Sequence, residues 1–165
     1  IHPGTGTAVK LWREEAWIQV SESLVERYQA RIILTGATGE RTLAQAIARG
    51  MKTKTPPIVA AGETDLGQLA ALMARCRLVL GPDSGPLHLA VAAGTPTVHL
   101  YGPVDSRTFG PWGDPARHIV VTSDMDCIPC NRLDYDHEEL DEHPCVKRIT
   151  VEQVLEAVTK ALARR

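Results

Sequence analysis

The 165-residue sequence holds no apolar run approaching the ~20 residues that cross a bilayer as a helix, and it opens without a secretory signal. It carries little net charge, -2 from 18 basic and 20 acidic residues, so nothing in it suits a polyanion such as duplex nucleic acid. An anionic ligand would have to be held by a local device. Only four cysteines occur, and without a secretory signal they fit a reducing compartment better than a disulfide scaffold. There is no internal repeat, no Gly-Lys-Ser/Thr of a P-loop and no Gly-x-Gly-x-x-Gly. Thr35-Gly36-Ala37-Thr38-Gly39 supplies only Gly-x-x-Gly, which argues against an ATPase of that class and against a nicotinamide oxidoreductase. With no initiator Met and an opening Ile1-His2-Pro3-Gly4 that reads as a strand end, the chain is expected to be part of a longer protein.

What is present is an alternation of short apolar runs with helical periodicity, in a chain 44% hydrophobic and 23% charged, long enough to bury a core. A helix is expected from about Arg13 to Tyr28, with Trp17, Val20, Leu24, Val25 and Tyr28 on one face. Ile32 to Thr35 reads as a strand buried on both faces, Ile58 to Ala61, Leu78 to Leu80 and Thr97 to Tyr101 as further strands, and Ile119 to Val121 as a weaker one. Between them fall helices from about Gly39, from a Thr64 cap through Leu66, Leu69, Ala70, Met73 and Cys76, and from Pro86 to Gly94. Residues 114–144 lose periodicity and read as an irregular excursion. The last helix opens on a capping-box pattern, Thr150 with Gln153, carries Val151, Val154, Leu155, Val158 and Leu162 as its stripe, and ends on Lys160, Arg164 and Arg165. Such alternation predicts an α/β fold, a Rossmann-like doubly wound parallel sheet of five or six strands. Ligands of such sheets bind beyond the carboxyl ends of the strands, here the loops after Ile1, Leu34, Leu80 and Tyr101.

The most informative of those loops is Gly81-Pro82-Asp83-Ser84-Gly85-Pro86-Leu87-His88. Two glycines let the backbone approach a ligand, Ser84 is a candidate cap, and Pro86 starts a helix at little cost. The free N–H groups and positive end of that helix suit an anion, with a diphosphate the obvious guest, and His88 in the first turn is placed to face it. The bland alternative is a strand–turn–helix link with an incidental Asp and His.

This stretch, continued by Leu89-Ala90, then Ala93-Gly94-Thr95-Pro96-Thr97-Val98 and Tyr101-Gly102-Pro103, resembles the hallmark of glycosyltransferase family 9, which includes the heptosyltransferases of lipopolysaccharide core assembly. His2-Pro3-Gly4 with Lys10-x-Trp12, the turn from Gly36 to Arg41, and Cys127-x-x-Cys130 with Cys145 are similar to further family segments in the same order. The resemblance spans nearly the whole chain. It departs where Lys10-Leu11-Trp12-Arg13 lacks the usual proline and where Val104-Asp105-Ser106 replaces a commoner Thr-Asp-Pro.

The resemblance implies that residues 1–165 form the C-terminal, donor-binding half of a two-domain GT-B glycosyltransferase, the N-terminal acceptor domain and its catalytic aspartate lying outside this chain. It implies an ADP-sugar donor, transfer of heptose to the lipopolysaccharide inner core, and a cytoplasmic enzyme peripheral at the inner membrane face. Asp83, Ser84, Gly85 and His88 would line the phosphates and donor sugar, Thr5 and Lys10 the diphosphate, and Glu40 the ribose hydroxyls. Asp83, His88 and Lys10 would carry catalysis, with no metal and no cofactor. On charge grounds Asp83 is a poor phosphate ligand and is assigned to sugar hydroxyls or to backbone N–H groups. Lys10 also reads as a solvated surface lysine, and Glu40 as a group that merely complements a helix dipole. His99, where the family more often has a small apolar residue, reads as structural. Cys127, Cys130 and Cys145, with His137 and His143 near, read as free or structural thiols before a zinc site, and Cys76 as a buried core thiol. Two alternatives stay open: a nucleotide-binding regulatory module without transferase activity, and a domain like that of sugar-nucleotide 2-epimerases.

Overall fold

The structure is a computed structural model and describes residues 1–163. Its strands are β1 (Ile33–Leu34), β2 (Ile58–Val59), β3 (Val79–Pro82), β4 (Thr97–Tyr101) and β5 (His118–Thr122), and every pairing among them is parallel. β1 pairs with β2, and β3, β4 and β5 form a second ladder in that order. The opening residues join the two. The Ile1 amino group donates to the Ile33 carbonyl at 2.8 Å, Thr35 N–H donates to the Ile1 carbonyl and His2 N–H to the Leu80 carbonyl, both at 2.9 Å. Ile1–His2 therefore lies between β1 and β3, and six extended segments run in one direction, as the alternation of runs predicts.

The helices are α1 (Glu14–Tyr28), α2 (Arg41–Gly50), α3 (Leu66–Ala74), α4 (Gly85–Ala92), the short α5 (Ser106–Phe109) and α6 (Val151–Leu162). The side-chain alternation of β3 shows how they divide. Leu80 joins a core with Trp17, Val20, Ile47, Val154 and Val158 from α1, α2 and α6, whereas Val79 packs with Leu69, Met73 and Leu87 from α3 and α4. Both faces are thus covered at β3, which is why that strand reads as a continuous apolar run, whereas Ile58 on the edge strand β2 is exposed. On β4 the same alternation sends Val98 and Leu100 to the larger core. Thr97, His99 and Tyr101 face the opposite way, all three buried.

Three expectations need correction. Asp65, not Thr64, caps α3: its carboxylate accepts the Gln68 N–H at 2.7 Å while the Gln68 side chain accepts the Asp65 N–H at 3.0 Å. Leu66, assigned to the core stripe of that helix, is 70% exposed, because at the first helical position it points off the end of the packed face. Cys76 lies beyond α3, half-buried, its thiol donating to the Leu72 carbonyl. The α6 capping box forms as expected, with Thr150 accepting from Gln153 N–H and the Gln153 side chain from Thr150 N–H. Arg164 and Arg165 lie outside the described residues. The expected excursion, 114–144, holds β5 near its start, and from 123 to 150 no helix or strand forms.

Candidate functional site

Parallel strands deliver their following loops to one edge of the sheet, and here four of those loops enclose an open cleft of about 540 Å³. The segment after His2 contributes Thr5, Gly6, Thr7 and Lys10, and the segment after β1 contributes Gly36, Ala37 and Glu40. Thr64, Asp65 and Leu66 come from the start of α3, and Asp83, Ser84, Gly85 and Pro86 from the β3–α4 turn. Thr5, Lys10, Glu40, Asp83, Ser84 and Gly85, scattered over 80 positions, therefore meet in one place. His88 stands just behind that lining. The loop after Tyr101, expected to take part, does not line this cleft.

The β3–α4 turn is shaped by what surrounds it. A Cβ added at Gly81 would stand 2.5 Å from both the His2 carbonyl oxygen and Leu87 Cδ2, so only glycine lets the opening strand and α4 close in from two sides. Ser84 occupies the N-cap position of α4, but its hydroxyl does not cap the helix. It donates instead to the Pro82 carbonyl at 3.1 Å. No side chain caps α4, and a Cβ on Gly85 would meet nothing within 4 Å. The positive end of an eight-residue helix therefore faces the cleft with room in front of it.

Lys10 is not a solvated surface lysine. Its ammonium donates to Asp83 Oδ2 at 2.7 Å and approaches the Asp83 carbonyl at 3.4 Å, with the two side chains only 14% and 9% exposed. The other carboxylate oxygen of Asp83 lies 3.5 Å from His88 Nε2, whose side chain is 40% exposed. Asp83 is thus clasped between a cation and an imidazole at the mouth of the helix end. Tyr101 sits close enough that burial, and then the Asp83 carboxylate, push its phenol above the ordinary range, and its hydroxyl donates to the Phe109 carbonyl at 2.7 Å.

Glu40 holds the opposite wall. Its Oε2 accepts the Ala37 N–H at 2.6 Å, so part of its role is the local one of satisfying the turn before α2. A Cβ on Gly4 would fall 2.1 Å from Glu40 Oε1, which shows how closely the first segment passes over this carboxylate. His2, which the sequence does not assign to the site, also lines the cleft. It is buried, its Nδ1 pairs with Thr35 Oγ1 at 3.0 Å, and its Nε2 is 3.7 Å from Glu40 Oε2. Burial lowers its pKa to about 4, so it is a neutral ring at neutral pH. Its sequence signals are its membership of the His2-Pro3-Gly4 segment and its place at the end of a strand whose following loop feeds the site.

All four cysteines are free thiols. Cys127 and Cys130 are exposed and Cys145 is buried, its pKa raised by that burial. Among the described residues no three His, Cys, Asp or Glu side chains are arranged to hold a metal ion. The sequence has two Asp-x-Asp triplets, at 124–126 and 134–136, a spacing of carboxylates that can hold a metal ion. Both fall on the irregular segment outside the cleft lining, where Asp124 pairs with Arg148 and Asp134 with Arg132.

A site at this edge of this sheet can be set beside known proteins. The family model described as glycosyltransferase family 9 (heptosyltransferase) matches residues 1–139. Lipopolysaccharide heptosyltransferase 1 of Pseudomonas aeruginosa is 29% identical over 141 residues, 84% of this chain and 38% of that protein. A solved family 9 glycosyl transferase from Veillonella parvula superposes with a TM-score of 0.80 at 30% identity, covering 98% of this chain and 44% of its own. The ADP-heptose lipopolysaccharide heptosyltransferase II of E. coli gives 0.81 at 25% identity, covering 98% and 45%. The chain spans less than half the length of these relatives. The long strand–turn–helix motif and the sheet that presents it are those of one family throughout, and this chain belongs to glycosyltransferase family 9.

Proposed function

We propose that residues 1–165 form the donor-binding half of a glycosyltransferase that carries heptose from an ADP-sugar to the lipopolysaccharide inner core. The observation that supports this best is the uncapped N-terminus of α4 opening beside Lys10 in a cleft at the carboxyl edge of the sheet. A diphosphate there meets the helix dipole, the Gly85 N–H and one ammonium, which together stabilise the charge that grows as the nucleotide departs. Thr5 lies on the same side and would add a hydroxyl. Glu40, across the cleft, is placed for ribose hydroxyls, with Ala37 and the exposed Leu66 as apolar flanks for the base.

Asp83 and His88 lie beyond the diphosphate position and would meet the donor sugar. Asp83 is a hydrogen-bond acceptor for hydroxyls, and through its clasp on Lys10 and His88 it fixes both groups in the orientation transfer requires. The acceptor half and the base that deprotonates the acceptor hydroxyl belong outside this chain. An acceptor of the lipopolysaccharide core is carried on lipid, so on this reading the whole enzyme would work at the cytoplasmic face of the inner membrane. Among the described residues no helix is long and apolar enough to cross a membrane.

The test is transfer by the full-length protein from ADP-heptose to a truncated core acceptor. His88→Ala is expected to lower the rate by about 10²-fold, the scale of a positioned polar group. Tight ADP binding without transfer to any core acceptor would overturn the reading in favour of a nucleotide-binding regulatory module.

A further inference from the structure

Beneath the Asp83–His88 pair runs a line of buried polar side chains that neither the cleft nor the core explains. Thr97, His99 and Tyr101 share one face of β4, turned toward the α4 side, and His118 lies beside Thr97 at the start of β5. His99 and Thr97 are wholly buried and His118 is 8% exposed. His99 Nε2 is 2.8 Å from Thr97 Oγ1, and Thr97 Oγ1 is 2.9 Å from His118 Nδ1. The ring of His99 packs against His88 at a centroid distance of 5.8 Å and against Tyr101 at 6.2 Å. Its Nδ1 has no hydrogen-bond partner.

One hydroxyl shared between two imidazoles makes this chain directional, because Thr97 has a single proton to donate. If it donates to His99, then His99 carries its own proton on Nδ1, an N–H buried without an acceptor. If it donates to His118, then His99 gives its Nε2 proton to Thr97, and the partnerless Nδ1 is only a bare lone pair. Leaving a donor unsatisfied is the rarer and costlier outcome in a folded interior. The second arrangement is therefore favoured: His99 Nε2–H to Thr97, Thr97 O–H to His118 Nδ1. Burial, reinforced by the neighbouring imidazoles, lowers the pKa of His99 to about 3 and keeps the ring uncharged.

We propose that His99 is a positioning residue for His88, locked as its Nε2–H tautomer by Thr97 and His118 so that a fixed neutral ring backs His88 where it meets Asp83. A side chain 40% exposed at the first turn of a helix would otherwise sample several rotamers. Contact with a ring that cannot turn restricts them and keeps His88 Nε2 directed at Asp83 Oδ1. A small apolar residue at 99 would leave His88 without this floor.

The inference rests on the transferase reading only for its kinetic consequence, so the first measurement needs no ligand. Histidine-ring ¹H–¹⁵N spectra of the chain are expected to show His99 protonated at Nε2 and bare at Nδ1. Thr97→Val, which removes the shared hydroxyl, is expected to shift or split the His88 ring signals, and Thr97→Ser to leave them in place. A His99 protonated at Nδ1, or His88 signals unmoved in a folded Thr97→Val chain, overturns the proposal. Should Thr97→Val not fold, His118→Gln interrupts the same chain and carries the same two outcomes. In the full-length enzyme Thr97→Val is expected to lower kcat about tenfold with donor KM within twofold, and Thr97→Ser to restore kcat. Equal losses in kcat and in ADP affinity would mark a structural defect and refute positioning. Absence of transfer in the wild type refutes the transferase reading alone, since the ring spectra still decide the role of His99.

Discussion

Replacing Asp83 with asparagine is expected to move nucleotide binding and sugar transfer in opposite directions. In the free protein Lys10 donates to Asp83 Oδ2 at 2.7 Å, and both side chains are largely shielded from water. At an effective dielectric of about 20 that separation corresponds to a gross attraction of about 6 kcal/mol. Desolvation of both ions reduces the net worth to the ~1.5–3 kcal/mol of a charge-assisted hydrogen bond. A diphosphate arriving at the end of α4 must share Lys10 with this carboxylate and sit close to its negative charge. Asparagine keeps the shape and a carbonyl acceptor but removes the charge. Part of the pair energy then becomes available to the ligand, and ADP is expected to bind more tightly by about 1 kcal/mol, roughly fivefold. Transfer in the full-length enzyme should nevertheless fall by about 10²-fold, because the group that orients the sugar and His88 is weakened where the transition state needs it. Calorimetry with ADP in the presence of EDTA gives the first quantity and a donor-saturated transfer assay the second. Thermal melting must show that the variant remains folded. Weaker ADP binding in a folded Asp83→Asn protein would refute the competition argument, and unchanged turnover would remove Asp83 from the catalytic set.

Three further outcomes follow from the same geometry. Lys10→Ala should weaken ADP by about 1–3 kcal/mol while leaving adenosine unaffected, since only the diphosphate meets the ammonium; equal losses for both ligands in calorimetry would refute the assignment. Glu40→Ala should weaken ADP and adenosine alike, and a loss confined to ADP would mean that Glu40 does not serve the ribose. Stability should fall as the solution is acidified below pH 6.5, because His2 and His99 have folded pKa values of about 4 and about 3, below their ordinary 6.5. Their neutral forms are favoured by the fold, so the unfolded chain takes up protons first, and the contribution present above pH 6.5 is lost down to about pH 4 for His2 and about pH 3 for His99. Each proton is worth about 1.4 kcal/mol per pH unit, and urea titrations of His2→Asn should show a slope shallower by about that amount than wild type. An identical slope would refute the burial argument for His2.

Residue order alone was enough for the alternating strands and helices, the parallel sheet and the edge at which ligands bind. These rest on local signals: apolar runs closed by Gly36, Gly62, Gly81 and Gly102, periodic stripes, and the Thr150–Gln153 box. The motif from Gly81 to His88 was legible for the same reason, being a contiguous strand–turn–helix whose geometry is fixed within eight residues. The misassigned cap at Thr64 and the misplaced Leu66 and Cys76 are errors of one or two residues at helix ends. There, the choice between neighbouring candidate caps depends on which backbone angles the tertiary packing permits. What no local pattern could reveal is which side chains meet across the cleft. Lys10 and Asp83 are 73 positions apart, and their pairing exists only because the opening strand is inserted between β1 and β3. The diversion of the Ser84 hydroxyl to Pro82, which leaves the end of α4 open, is likewise a matter of rotamer and surroundings. The buried line from His118 through Thr97 to His99 joins two neighbouring strands in register, and register is decided by how the whole sheet packs.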